Sequence, residues 1–389
     1  MTIVVLNGSP KGAQSVTMQY IAWLEKMRPA HRFIRLDAAA RIHRLEKDTA
    51  VFKEMINTIR GADAVLWAFP VYYLQISSQF KRFIELATER GEESAFRGKP
   101  AATFSTSIKF FDHLAHQYLH AVIDDFGMRH EGFYSAHMDD LLNADERGRF
   151  LTFCDAFLAA AERDAPLVPR YAKVDFTPPP YQSVVPAVPL DTAGKRIAII
   201  HDARPEDTNL AAMVARIGER FGGKAALYNL RELSFSGCLG CLRCAFDGRC
   251  AYEGKDDYIE FFNRVVRGSD ILVFAGAVAG RQLSSIWRRF FDRSFFNNHR
   301  PVLQHKQIVF LVSGPLSRMP ELTRPYEAWM DIQQANLAGV VSDEGAPEVT
   351  DRAIDRLTRD VIFFSVKDYT APRTFCAVAG LKLFRDEIW

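Results

Sequence analysis

Apolar positions follow two rhythms along this chain, and the rhythms alternate. Residues 2–6 are a short apolar, β-branched run that stops at Asn7-Gly8-Ser9-Pro10, after which Val16, Tyr20, Ile21 and Leu24 recur at helical spacing. Residues 64–69 and 100–105 are further buried-strand runs, followed by helical stretches over about 77–89 and 117–126. Strands that alternate with helices predict an α/β fold, with a parallel sheet covered on both faces. Seven prolines then fall within residues 166–189, Pro178-Pro179-Pro180 among them, and deny the backbone donors that a ladder or helix needs. That stretch reads as a linker. Beyond it the pattern restarts: residues 196–201 form an apolar run, and Asp207, Thr208 and Asn209 precede Leu210, Met213, Val214 and Ile217 at helical spacing.

The restart is a repeat. Residues 60–85 laid on 267–292 without gaps share ten identities in 26 positions, including Arg-Gly-x-Asp, Gln75/Gln282, Ser77-Ser78/Ser284-Ser285 and Arg82-Phe83/Arg289-Phe290. The same offset of 207 carries Lys99 onto Lys306, Asp124 onto Asp331 and Gly132 onto Gly339, whereas at the front of each half the offset is 194, as in Ile3/Ile197 and Leu36/Leu230. The second half has therefore gained thirteen residues between these blocks, and residues 238–250 are themselves thirteen long. The expected organisation is a domain over 1–165, a proline-rich linker over 166–194 and a second domain over 195–389.

Composition narrows the partners rather than the fold. The 389 residues are 48% hydrophobic and 25% charged, enough for two cores, and 49 basic against 47 acidic residues leave a formal net charge of +2. Such a balance gives nucleic acid and anionic membranes no electrostatic pull. The first residues carry no basic, apolar and small-residue succession of a signal peptide, and no apolar run reaches membrane-span length. The expectation is a cytoplasmic chain, in which clustered cysteines serve metal or redox chemistry more often than structural disulfides.

The first turn carries the clearest ligand signal. In residues 6–17, where a strand hands over to a helix, backbone N–H groups and the Ser9, Ser15 and Thr17 hydroxyls are placed to face one anion, helped by the helix N-terminus. The loop has neither G-x4-G-K-[ST] nor G-x-G-x-x-G, which disfavours ATP and a dinucleotide in the Rossmann manner. Leu6-Asn7-Gly8-Ser9-Pro10-Lys11 with Ser15, then Pro70-Val71-Tyr72, then Gln79-Phe80-Lys81-Arg82-Phe83, resembles the flavodoxin-like NAD(P)H-dependent FMN reductases. The resemblance implies two tandem flavodoxin-like domains, each a parallel five-stranded sheet with helices on both faces. It puts the FMN phosphate on Ser9, Lys11, Ser15, Val16 and Thr17, and the ring beside Pro70, Val71, Tyr72, Tyr73 and Leu74. A closing loop falls to Ser105, Thr106 and Ser107. In the second half the first loop has become residues 201–209, with Asp202, Glu206 and Asp207, and the ring loop Ala277-Val278-Ala279-Gly280, so its flavin site is expected to be degenerate.

Four of the six cysteines, Cys238, Cys241, Cys244 and Cys250, stand at spacing C-x2-C-x2-C-x5-C. Four thiolates so close suit a cuboidal iron–sulfur core, and Gly237, Gly240 and Gly248 permit the turns. Zinc, and thiols that bind no metal or form a disulfide, stay open as alternatives. The loop also resembles the motif of the iron–sulfur flavoproteins of the same superfamily, which implies one [4Fe–4S] cluster near FMN. Cys154 and Cys376 are expected in cores. His113, His116 and His120 share a helix face without a recognised metal motif, and the helix bearing Phe290, Phe291, Phe295 and Phe296 is expected to bury its rings at a domain interface.

The functional expectation is an FMN-dependent oxidoreductase that passes electrons between NAD(P)H or another donor and an acceptor, through FMN and a [4Fe–4S] cluster. A flavin or quinone reductase without a cluster, or a non-enzymatic carrier or redox sensor, is the alternative. The expected partners are small-molecule or protein donors and acceptors, with an intrachain pseudo-dimer and a homodimer left open, but no nucleic acid or membrane. No catalytic side chain is assigned.

Overall fold

The computed structural model describes residues 1–163, 165–298 and 300–387, which divide into two compact units. One comprises Met1–Lys173 with Gly237–Cys241, and the other Val174–Ser236 with Leu242–Trp389.

In the first unit β1 (Thr2–Asn7), β2 (Arg32–Leu36), β3 (Ala64–Pro70), β4 (Pro100–Ser107) and β5 (Arg129–His137) form one parallel sheet in the order β2-β1-β3-β4-β5. Because helices cover both faces, β1 between Thr2 and Asn7 and the whole of β3 are continuously apolar instead of alternating. Val4, Leu6, Val65 and Trp67 face a core shared with Phe52, Phe80 and Tyr118. Ile3, Val5, Leu66 and Phe104 face the opposite core, with Tyr20, Phe150 and Cys154. The strand order reverses direction between β1 and β3. In open α/β sheets, ligands bind beyond the carboxyl ends of the strands at such a point.

The second unit repeats this plan with β6 (Ile197–His201), β7 (Ala226–Asn229), β8 (Ile271–Ala279), β10 (Gln307–Ser313) and β11 (Asn336–Ser342), in the order β11-β10-β8-β6-β7. A two-residue strand, β9 (Gln282–Leu283), folds back antiparallel on β8, so this sheet has six strands where five were expected. The repeat reaches individual contacts. Lys99 Nζ donates to the carbonyls of Arg60 and Ala62, and Lys306 Nζ to those of Arg267 and Ser269. Asp63 accepts the Thr2 N–H as Asp270 accepts that of Arg196. The β4/β5 register slips after Ala101, and the β10/β11 register after Ile308, one offset of 207 away.

Three expectations change. The aromatic helix Ser285–Arg293 packs Phe290 and Phe291 against Phe274, Trp287 and Trp329 in the core of its own unit, because it covers one face of β8. Cys376 is exposed on the helix Phe375–Glu387, not in a core. Part of the proline-rich stretch is also pinned to the second unit. Asp351, fully buried, accepts from Tyr181 Oη at 2.6 Å and from the N–H groups of Val184 and Val185 at 2.9 and 2.8 Å. Among the described residues no helix is long and apolar enough to cross a membrane.

Candidate functional site

The loop after β1 is held from within. Asn7 Oδ1 accepts the Ser9 N–H at 3.0 Å while its amide nitrogen donates to Asp37, and Ser9 Oγ accepts the Lys11 N–H at 3.2 Å. Ser15 caps the helix Val16–Met27 by accepting the Met18 N–H at 3.2 Å. At Gly8 the turn passes so near its neighbours that a Cβ would lie 2.4 Å from Phe80 Cδ1 and 2.8 Å from Phe69 Cβ. The hydroxyls of Ser9 and Ser15 thus shape the loop, and Thr17 Oγ1 meets Thr106 Oγ1 at 2.7 Å as a strut to β4. Anion-binding capacity rests on the first N–H groups of the helix, which have no intrahelical acceptors, and on exposed Lys11; Val16 lies half-buried in the first turn.

The loop after β3 lies beside it. Val71 N–H donates to the Thr106 carbonyl at 3.1 Å, and Tyr72 and Gln75 exchange backbone hydrogen bonds across a tight turn. Tyr73 and Leu74 follow with φ of +46° and +74°, a conformation that costs non-glycine residues free energy, and their burial offsets it. Half-buried Val71 and Tyr72 are therefore the residues this loop presents outward. Ser77 closes it by donating to the Gly8 carbonyl at 2.9 Å and capping the helix Ser78–Glu89. Ser105, Thr106 and Ser107, expected in a closing loop, are instead the last, buried residues of β4, where Ser107 Oγ accepts the Lys109 N–H and Ser105 Oγ lies 2.8 Å from His116 Nε2.

His116 escaped sequence reading as a structural residue. Its ring sits between Phe69 and Phe133 and bonds Thr103 Oγ1 through Nδ1, and burial, with His130 and His113 adding to it, pushes its pKa down to about 3. It is a neutral core histidine. His120 stacks on His130 at 3.8 Å, and His113 on Phe111. Each of the three turns to a different neighbour.

Residues 1–130 match the NADPH-dependent FMN reductase family. That is about a third of the chain, and it contains both loops just described. The chain is also 28% identical over 71 residues to an iron–sulfur flavoprotein of Clostridioides difficile; the match spans 18% of this chain and 31% of that protein, under a third of the relative's length. Two solved structures resemble it: the apo form of an NADH:FMN oxidoreductase (20% identity, TM-score 0.35, 41% of this chain and 89% of the other) and an NAD(P)H:(acceptor) oxidoreductase flavoenzyme from Paracoccus denitrificans (21%, 0.32, 41% and 97%).

Compared with the edge of the first sheet, that of the second is built differently. Asp202 occupies the place of Gly8: its N–H donates to the Ala275 carbonyl as that of Gly8 does to Ala68. Its carboxylate is buried, accepts the Ser284 hydroxyl and faces Arg231 at 3.9 Å, and burial pushes its pKa up to about 6. Asp207 and Glu206 pair with Arg204. Where the first unit has the loop after β3, β8 and β9 make a hairpin whose buried Arg281 pairs with Glu321. Asp343, at the end of β11, accepts from Ser313, Gly314 and Asn209. Asn209 also holds the proline-rich run, donating to the Pro179 carbonyl and accepting the Tyr181 N–H, each at 2.9 Å. Arg318 lies 4.7 Å over the Phe176 ring.

None of the six cysteines is in a disulfide. Cys238 and Cys241 belong to the first unit, Cys244 and Cys250 to the second. The Gly240 N–H points to Cys238 Sγ at 3.4 Å, and Arg293 Nη2 to Cys250 Sγ at 3.6 Å. Arg293 is buried, paired with Asp256 and set 4.5 Å from the Tyr252 ring and 5.0 Å from that of Tyr258. Among the described residues no three His, Cys, Asp or Glu side chains are gathered as one metal ion would need.

Proposed function

We propose that the chain is an FMN-dependent NAD(P)H oxidoreductase that holds one flavin, at the carboxyl edge of the first sheet. The observation that carries this reading is the self-supported loop 7–15, which delivers a capped helix N-terminus to the strand-order switch point within the segment matching the FMN reductases. Lys11 and the N-terminus of the helix Val16–Met27 receive the phosphate. Ser9, Ser15 and Thr17 keep that cradle rigid, Val71 and Tyr72 flank the ring from the loop that Pro70 begins and buried Tyr73 and Leu74 anchor, and the segment with Ser105, Thr106 and Ser107 borders it. FMN, when bound, supplies the capacity to take electrons in pairs and release them singly. The edge of the second sheet, filled by its own carboxylates and by the proline-rich run, holds no flavin in this reading.

The finer part of the proposal gives Cys238, Cys241, Cys244 and Cys250 a [4Fe–4S] cluster as a one-electron partner. Its support is the spacing, the four thiols and the N–H donors aimed at two sulfurs, an arrangement that favours thiolate ligands. No electron path is drawn through it.

Anaerobic purification followed by FMN titration, NADPH addition, and iron and sulfide assays tests both parts. Flavin bound and bleached by NADPH supports the oxidoreductase; bound flavin that NADPH leaves oxidised turns it into a carrier or sensor. Four iron per chain supports the cluster, and flavin without iron leaves a plain reductase.

A further inference from the structure

The segment Gly237–Cys241 is fitted to the first unit at two glycines. A Cβ on Gly240, whose φ is +64°, would lie 1.6 Å from Tyr72 Oη and 2.5 Å from Tyr72 Cζ. A Cβ on Gly237 would lie 2.6 Å from Gln79 Nε2 and 2.7 Å from Ser78 Oγ. Between these points Gln79 Nε2 donates to the Cys238 carbonyl at 3.0 Å, and the Gly240 N–H turns back to the Cys238 sulfur. Backbone approaches this close are open only to glycine, and they confine the Tyr72 ring on the side of the segment. The tyrosine so confined is the one that the strained loop after β3 presents outward.

We propose that Gly237–Cys241 is a wall of the flavin site, and that it transmits the chemical state of Cys238 and Cys241 to the flavin through the Tyr72 ring. The proposal rests on FMN being held by the first unit. Its physical basis is short. The Cys238 sulfur accepts the N–H of the residue that touches Tyr72 Oη, so a change at that sulfur alters the turn, and the turn has no slack against the ring. Gly240 and Cys238 are positioning residues here, acting through Tyr72.

The test is FMN titration of the full chain, read by flavin fluorescence and by the absorbance of the bound flavin. Gly240→Ala is expected to weaken FMN about tenfold or more and to shift the flavin absorbance, whereas Leu239→Ala, in the same segment but exposed, changes affinity less than about twofold. In a second arm, N-ethylmaleimide is added to the FMN-loaded Cys376→Ser chain after iron has been removed with a chelator, so that Cys238 and Cys241 are free thiols; the flavin spectrum shifts, and the shift is absent when Cys238 and Cys241 are also serine. This arm needs no clash-bearing variant, and stands if Gly240→Ala fails to fold. Unchanged affinity and spectrum in folded Gly240→Ala, or alkylation that leaves the spectrum unmoved, overturns the proposal. A wild-type chain that binds no FMN removes the flavin reading itself, and this inference with it.

Discussion

The two sheets share an order, a bulge and several hydrogen bonds, yet their carboxyl edges have parted chemically. In the first, a glycine lets the turn pass against Phe69 and Phe80, hydroxyls shape the loop, and the outward groups are a lysine, a helix N-terminus, a valine and a tyrosine. In the second, the equivalent residue is a buried aspartate, the loop that follows β3 in the first is replaced by a hairpin with a buried Arg281–Glu321 pair, and the proline-rich run is tied to Asn209. In the proposed reading, ligand capacity then resides in a few loop positions and not in the sheet.

The widest difference to break is in pH response. The His116 pKa in the fold, about 3, lies below its ordinary 6.5, so the unfolded chain takes the proton first. Stability from this residue is complete above pH 6.5 and falls with acid, by about 1.4 kcal/mol per pH unit, or about 3 kcal/mol at pH 4. Hydrogen exchange between pH 7 and 4 should show the helix Asp112–Asp125 losing protection, and less so in His116→Gln. An identical acid slope in that variant would remove the histidine from the account.

The second unit should respond with the opposite sign. The Asp202 pKa in the fold is raised from 3.8 to about 6, so its favourable contribution is present below pH 3.8 and is lost as pH rises through 6. Asp202→Asn should then stabilise the second unit at pH 8 by at most about 3 kcal/mol, and bring no gain at pH 4. Equal gains at both pH values, in denaturant melts of the full chain, would mean that the carboxylate is not strained by burial.

The smallest expected effect compares the equivalent positions directly. Gly8→Ala should cost about 2 kcal/mol by overpacking against Phe80 and should weaken FMN, while Asp202→Ala, where a Cβ is already accommodated, should bring no overpacking and leave FMN uptake unchanged. Equal costs at the two positions would end the claim that only the first loop is built around a close approach.

Local pattern carried most of the fold. Because each element's periodicity is written in consecutive positions, alternating buried runs and amphipathic stretches located β1, β3, β4 and β6 and the helices after them, although the helix after β4 begins at Asp112, more than a turn before its apolar spacing shows. The turn Asn7-Gly8-Ser9-Pro10 was legible for the same reason. What depended on distant pairing was not. Nothing around Asn209 or Asp351 announces that they hold the proline-rich run, and Gly240 reads as turn permission until Tyr72 is seen against it. Cys376 and the aromatic helix were misjudged because burial, and the partner that supplies it, are properties of the fold and not of the segment.

The central claim, one flavin held by the first unit, is tested most directly by counting FMN per chain in a fluorescence titration of the wild-type protein and of Gly8→Ala and Asp202→Asn. The account predicts one FMN per chain in the wild type and in Asp202→Asn, with markedly weaker binding in Gly8→Ala. Two FMN per chain, or a single FMN that Gly8→Ala leaves untouched, would contradict it.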